Sequence, residues 1–516
     1  MKVTIGRTPK FDFENLFIFE MANNHQGNVE HGKRIVRECA SVVKELGVRA
    51  AVKLQFRELD TFIHPAHRSS KENKHIPRFL STRLSEEQFG ELVETTKTHG
   101  LISMCTPFDE ASVEKIERLG IEVIKIGSCS AMDRPLLEKV SSAGKPVIVS
   151  TGGLSIEEVD WVVTFLQKRA VDFALMHCVA VYPMPSKDAH LNQIEVFRNR
   201  YPGVVVGFST HEDPTNTSLV GLAYAKGARI FEKHVGVVNP EQNITLNAYS
   251  ATPEQAEKWI RAYREAEAAC GREGPRVIWE TEKMDLKSLM RGVYAAREIK
   301  KGDTIEEREV FFAIPIMLEQ MTSGRFVEGL VADRDYQAGD PINVRIRSNE
   351  LSHRDIIYQK AVHPVKGMLN EAKVVIGHDF RVEISHHCGL ERFEEVGCVL
   401  ITCVEHEEYA KKIIVQLPGQ WNPEHYHRKK AETFQVLSGT LHVWIEDNRY
   451  IVAAGQKLEI PRGTRHSFGT ETGCIFEEIS TKDWPDDSFY TDRSIAKKDR
   501  KDRKTYLQNW GRYQFD

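Results

Sequence analysis

FALMHC (Phe173–Cys178), VVGFSTH (Val205–His211) and RIFEKHV (Arg229–Val235) are three apolar runs in close succession, each closing on polar or charged residues. Five more of the same kind precede them. LFIFE ends at Glu20, AAVKLQF carries Lys53 and Gln55, and LISMCTPFD carries Thr106. VIKIGS carries Lys125 and Ser128, and VIVSTGG carries Ser150 and Thr151. A parallel strand buried on both faces is apolar almost throughout. Eight such runs with helix-like stretches between them predict a (β/α)8 TIM barrel, whose active site lies at the C-terminal strand ends. GNVEHGKRIVRECASVVKELG predicts an amphipathic helix from Asn28 to a stop at Gly47. TPEQAEKWIRAYREAEAACG predicts the closing helix, with Thr252 as N-cap, Pro253 in the first turn and Gly271 as stop.

A chain of 516 residues is too long for one core, so two to four domains are expected. Hydrophobic content of 41% and charged content of 28% are those of a soluble globular protein. A net charge of −4 gives no ground for a nucleic-acid or anionic-membrane partner. Nine cysteines, an odd number without CxxC pairing, argue against a disulfide framework and for a reducing cytoplasm. The N-terminus has no long apolar segment of the signal-peptide type, and no run of about 20 apolar residues predicts a membrane span.

The barrel is expected over residues 1–283. A small β-rich domain follows at 284–348, with Gly302-Asp303 and Gly339-Asp340 turns. Ser348 to Arg354 reads as a polar linker. Residues 349–495 carry many short strand-like runs with glycine turns, among them KVVIGHD, KIIVQL, LHVWIE and CIFEEIS, and predict a small all-β barrel. The basic-rich tail, 496–516, reads as a solvated arm.

At the barrel mouth, Lys53 and Lys125 stand with Ser128, Ser150, Thr151, Ser209 and the Gly127, Gly152 and Gly153 amides. Two cations, hydroxyls and backbone N–H groups make a cradle for phosphate and carboxylate. His211 and His234 end adjacent strands, so their imidazoles are expected to converge on one divalent metal, with Glu20 in reach across the closure.

Gly419, His425-Tyr-His427, Glu432 and Gly439, then Gly455, Pro461, Gly463 and His466, resemble the two cupin motifs, with Thr470 where the second usually ends in Asn. His425 and His427 share one strand face. Three imidazoles and a carboxylate with positions left open suit Mn, Fe, Ni or Zn. LPGQWNPEHYHRKKAETFQVLSGTL, including Lys430, is similar to sugar-isomerase cupins of the D-lyxose isomerase type. That likeness implies a ketol isomerase; a sugar-sensing module is the other reading.

EMANNHQGN, VKLQF, CTPFD, IKIGS, STGG, MHCVAVYP, FSTH and EKH, in this order, resemble the sialic acid (N-acetylneuraminate) synthase family over residues 17–347. The 287–347 segment resembles that family's antifreeze-like (SAF) domain. The resemblance implies condensation of phosphoenolpyruvate with an open-chain aldose, giving a 3-deoxy-2-ketoacid and phosphate. It implies that His211 and His234 hold a metal, usually Mn²⁺, and that Glu20 moves a proton or orients a metal-bound water. It further implies that Lys53, Gln55, Thr106, Lys125, Ser128, Ser130, Ser150, Ser209 and Asn247 form the substrate site, with Tyr182 near both substrates, and that the SAF domain crosses to a partner barrel in a homodimer. Several positions depart from the family. Ser130 replaces a glutamate that contacts the sugar, and Cys178-Val-Ala180 replaces Cys-Thr-Asn. NITLNAYS replaces Gly-Pro-Asp, with Asn243 and Asn247 as partial stand-ins, and Ile314-Pro-Ile-Met-Leu318 replaces an arginine-bearing turn. The phosphoenolpyruvate half is kept and the sugar half rewritten, so an acceptor other than N-acetylmannosamine is expected. Two alternatives stand beside this one. One is a catalytically silent sugar-binding or regulatory protein. The other is a 3-deoxy-octulosonate-type synthase, whose phosphorylated acceptor would need Arg57 and Arg68.

Overall fold

The computed structural model describes residues 11–69, 72–272, 274–344, 357–484, 486–510 and a short strand at 514–515. Eight parallel strands close into a barrel in chain order. They are β1 (Leu16–Glu20), β2 (Arg49–Phe56), β3 (Ile102–Pro107), β4 (Val123–Ile126), β5 (Val147–Ser150), β6 (Phe173–Cys178), β7 (Val206–Thr210) and β8 (Ile230–His234). Side chains alternate along each strand, so every strand feeds two cores. Ile18, Ala51, Met104, Ile148, Met176 and Ile230 belong to one cluster. Phe17, Phe19, Val52, Phe208 and Phe231 belong to the larger one, with helix residues such as Ile35, Val162 and Trp259. This two-sided burial is why the runs read as nearly unbroken apolar sequence. Closure sets Glu20 opposite Lys53 on β2 and opposite His234 on β8.

The helix Val29–Leu46 is capped by Asn28, whose side chain accepts the His31 N–H, and ends at Gly47 in the left-handed region, φ 59°. The helix Pro253–Cys270 opens with a reciprocal Thr252–Gln255 capping box and ends at Gly271. Both follow their sequence signals.

The chain divides into two compact units, 1–277 and 278–516. The second begins with short strands β9 (Gly292–Ala295), β10 (Thr304–Ile305), β11 (Val310–Ala313) and β12 (Leu330–Val331), paired β9–β11 and β10–β12. They enclose a core of their own that includes Val293, Ile305, Tyr336 and Ile342. Gly302 and Gly339 both have positive φ, and the aspartate after each accepts a backbone N–H within its turn.

The rest is an antiparallel sheet, curled as a cupin. Its strands are β13 (Arg381–Ser385), β14 (Cys398–Glu405), β15 (Tyr409–Gln416), β16 (Trp421–Tyr426), β17 (Glu432–Ile445), β18 (Asn448–Ala453), β19 (Lys457–Ile460), β20 (His466–Gly469), β21 (Cys474–Thr481), β22 (Phe489–Tyr490) and β23 (Lys504–Asn509). Two expectations are corrected. KVVIGHD is loop, and the strand lies just beyond it at β13. The tail is not a solvated arm: β23 pairs with β13 and buries Leu507 fully, because its Thr-Tyr-Leu-Gln alternation outweighs the basic residues before it. The expected linker, 348–354, lies outside the described residues. No helix among the described residues is long and apolar enough to cross a membrane, and all nine cysteines are free thiols.

Candidate active site and metal centres

The strand ends of the barrel bring most of the expected residues together. Lys53 Nζ lies 2.7 Å from Glu20 Oε2 and 2.7 Å from Glu232 Oε1. Lys125 Nζ donates to Ser150 Oγ at 2.5 Å and stands 3.5 Å from Glu232 Oε2. Ser209 Oγ donates to Glu232 Oε1 at 3.1 Å, and Gln55 Nε2 to Glu20 Oε2 at 3.3 Å. Glu20 Oε1 accepts the Ala22 N–H, so the carboxylate is fixed at both ends. Ser128 Oγ accepts the Gly152 N–H at 2.9 Å. Thr106 is buried with its hydroxyl unpartnered, opposite Gln55 in the β2–β3 register.

The rim is less cationic than the two lysines alone suggest. Glu232, which the sequence reading left out, sits between them, and two carboxylates match two ammoniums. Burial opposes the charge on Lys53, but Glu20 and Glu232 more than offset it and hold its pKa above the ordinary value. Lys125 has only Glu232, at the longer distance, and there burial wins and lowers the pKa. Burial likewise opposes charge on Glu232, but Lys125 and Lys53 carry it well below the usual carboxylate range. Lys125 is therefore the cation with unmet demand for an anion. Strand parity was the signal available for Glu232: it stands two residues before His234 and shares its face of β8.

His211 and His234 lie with ring centroids 5.4 Å apart. His211 Nδ1 faces the Val179 carbonyl at 3.2 Å, which makes it the N–H and leaves Nε2 a lone pair. His234 Nδ1 is buried without a partner. Burial first, then the other imidazole for His211 and Lys53 for His234, lowers both to about 3, so both are neutral and in ligand form at neutral pH. These donors fit a divalent ion. Glu20 is turned to Lys53 and the Ala22 N–H and does not join them as a third ligand.

Tyr182 packs on His211 at 4.3 Å between centroids and is half exposed. Tyr249, a second residue the sequence reading passed over, stands edge-on to His234 at 5.1 Å and 5.3 Å from Tyr182. Asn247 enters only through its neighbour, accepting the Tyr249 N–H on Oδ1. Ser130 is buried in the Ser128–Ser130 turn with Cys129 Sγ 3.9 Å from its oxygen, and joins none of the charged groups. Two strand-end groups are structural. His177 Nε2 meets the Ala189 carbonyl at 2.7 Å, and Thr151 Oγ1 donates to that of Met176.

The second centre is in the cupin. His425 and His427 come from β16 and the turn after it, Glu432 opens β17 and His466 opens β20. The ligand atoms of the three histidines lie within 4.8 Å of one another, the one such set among the described residues. Each Nδ1 meets a backbone carbonyl: Pro423 at 2.9 Å, Asp487 at 2.7 Å and Thr464 at 3.1 Å. All three Nε2 lone pairs are thereby left for a metal. Glu432 closes the set, with Oε1 3.3 Å from His427 Nε2 and Oε2 3.2 Å from His466 Nε2. Glu432 Oε2 and His466 Nε2 are buried without hydrogen-bond partners, as ligands awaiting an ion would be. Lys430 Nζ stands 2.6 Å from Glu432 Oε1 and 2.8 Å from Glu478 Oε1.

Residues 41–274 match the NeuB family model and residues 413–476 the cupin domain model. The crystal structure of a putative spore coat polysaccharide biosynthesis protein E from Chromobacterium violaceum is 43% identical. It aligns over 64% of this chain and 98% of its own, with a TM-score of 0.61. The chain belongs to the NeuB family. An uncharacterized protein of Methanocaldococcus jannaschii is 32% identical over 61% of this chain and 89% of its own length. The N-acetylneuraminate-9-phosphate synthase of Drosophila melanogaster is 29% identical over 55% and 82%. This member of the NeuB family thus carries a cupin domain as well, C-terminal to the residues that match the family model.

Proposed function

We propose that the barrel condenses phosphoenolpyruvate with an open-chain aldose to give a 3-deoxy-2-ketoacid of the nonulosonate type and phosphate. The supporting observation is Lys125, buried, bonded to Ser150 and short of carboxylate. A polyanion is the ligand that restores its charge balance. Lys125, Ser150, Ser209, Ser128 and Thr106 bind the phosphate and carboxylate. Lys53 holds the Glu20 carboxylate in place, and Gln55 steadies it. C3 of phosphoenolpyruvate forms a bond to the aldehyde carbon, whose oxygen takes up a proton, and Glu20 serves that transfer. Water adds at C2, and phosphate leaves with the bridging oxygen by C–O cleavage. His211 and His234 would hold a divalent ion, Mn²⁺ in our reading, which would supply Lewis-acid polarisation of the aldehyde oxygen. Tyr182 packs against His211 at this centre.

The acceptor is an aldose other than N-acetylmannosamine. Ser130 is too short and too buried to replace a sugar-binding glutamate. The Ile314–Leu318 loop presents exposed Ile314, Met317 and Leu318 where the family's turn presents an arginine. A phosphorylated acceptor is disfavoured: Arg68 Nη2 donates to the Asp60 backbone carbonyl at 2.6 Å, and Arg57 is wedged between the Phe79 and Phe108 rings at 4.0 and 3.6 Å. Four buried ligands and the reserved Nε2 lone pairs support the cupin as a metal-dependent sugar centre. On its likeness to sugar isomerases, we read it as forming the aldose from a ketose. The small β domain is read as SAF-like, crossing to a partner barrel in a homodimer. Phosphate release from phosphoenolpyruvate with a panel of aldoses tests the acceptor: best turnover with N-acetylmannosamine would refute this assignment. Aldose formation from ketose by a His211→Ala/His234→Ala variant tests the cupin, and no turnover with Mn²⁺ or Ni²⁺ removes the isomerase.

A further inference from the structure

We propose that the cupin centre takes a sugar bearing an acid group, a carboxylate or a phosphate, in preference to a neutral sugar. The inference rests on the reading of the cupin as a sugar-handling metal centre and names its ligand class. A cavity of about 60 Å³ is lined by His425, His427 and Glu432 of the metal-ligand set. Its lining holds four cations: Lys412, Lys430, Arg500 and Lys504. It holds four anions: Glu383, Glu432, Glu478 and Asp483. They interlock, with Lys412 Nζ 2.7 Å from Asp483 Oδ2, Lys504 Nζ 2.5 Å from Glu383 Oε1 and Lys430 on both Glu432 and Glu478. Before any ion enters, the cavity charge is already balanced.

A divalent ion therefore leaves a surplus of two positive charges in a small buried space. Uncompensated charge there is costly. Glu432 cannot absorb it, because Lys430, at 2.6 Å, already matches that carboxylate. Groups around the cavity carry both signs, and Asp487 is buried with its carboxylate on the Arg428, Lys429 and Lys430 N–H groups. Arg503 stacks 4.8 Å from the Tyr490 ring that lines the cavity, and its Nε and Nη1 are buried without partners. Lys429 and Lys482 both stand over Trp484, another lining ring, at 4.5 and 4.8 Å. A neutral sugar leaves the surplus unmet, whereas an acid-bearing one offsets it.

The test uses the full chain with His211→Ala and His234→Ala, so that only the cupin holds metal, loaded with Co²⁺ and followed by its visible absorption. D-fructose, D-fructuronate, D-fructose 6-phosphate and inorganic phosphate are titrated separately. One acid-bearing sugar is expected to bind about ten-fold or more tighter than fructose. Arg503→Met is expected to shrink that preference while fructose binding holds. Whether fructuronate or the phosphate ester leads identifies the acid. Equal or tighter binding of fructose overturns the inference and leaves the sugar centre standing. Binding of no sugar overturns both. Inorganic phosphate binding as tightly as the phosphate ester, with fructuronate no better than fructose, shows a bare anion site and also overturns it. Aldose-dependent phosphate release by the wild-type chain reports on the barrel independently of each outcome.

Discussion

Lys125 carries the anion-binding case at the scale of single residues. Its ammonium is fully buried, its nearest carboxylate is 3.5 Å away, and its one short bond is to a neutral hydroxyl. Replacing it by methionine keeps the volume and removes the charge. A charged hydrogen bond is worth roughly 1.5–3 kcal/mol, so Lys125→Met should raise the KM for phosphoenolpyruvate by about 10- to 100-fold while that of the aldose stays within a factor of about two. Equal rises in both would make Lys125 a general structural residue. Glu232 gives the opposite sign. Glu232→Gln removes a negative charge that competes with the ligand for both lysines, so phosphoenolpyruvate should bind more tightly in a calorimetric titration, with lower kcat because the lysines lose their fixed positions. Lys53 and Lys125 were legible in the sequence as lone cations on apolar strands. Their charge state was not, since it depends on a carboxylate brought over from β8 by barrel closure.

At the scale of elements, the join of β7 and β8 holds the two imidazoles. Directly after His211 comes Glu212, and directly before His234 comes Lys233. By strand alternation Lys233 faces away from the lumen, and its Nζ meets Glu212 Oε1 at 2.7 Å with both side chains buried. Removing one partner leaves the other as an unpaired buried charge, which costs about 3–5 kcal/mol. Lys233→Met should lower the urea-unfolding free energy by that amount, and adding Glu212→Gln should recover part of it. If the single variant is as stable as wild type, the pair does not tether the strand ends. Periodicity read the strands and their capped helices well because burial on both faces imposes an unbroken apolar pattern. It failed at β23, where an alternating segment hides among basic residues, and at KVVIGHD, where an apolar run has no neighbour to pair with.

Across the whole molecule, buried histidines set the response to acid. Burial first, then Arg78, lowers His25 to about 4; burial and Lys504 lower His387 to about 3. Both folded values lie below the unfolded value of about 6.5, so the unfolded chain takes up protons first. Their stabilising contribution is complete above that value and is lost as pH falls towards 4 and 3. For His25 the full loss is of order 3 kcal/mol. The Tm should therefore drop between pH 7 and pH 5, and a flat or rising Tm would contradict this. Most of the architecture and the three histidines of the cupin were legible, because each rests on residue types at fixed spacing. The tyrosine beside the imidazoles was not, because Tyr249 stands on a loop after β8 that no periodicity orders.

The most direct measurement follows oxygen. Phosphoenolpyruvate labelled with ¹⁸O at the C2–O–P bridge is incubated with the protein, Mn²⁺ and its best aldose, and both products are weighed by mass spectrometry. Labelled phosphate is expected, with an unlabelled ketoacid three carbons longer than the aldose. Label retained in the ketoacid, or no phosphate release that depends on the aldose, would contradict it.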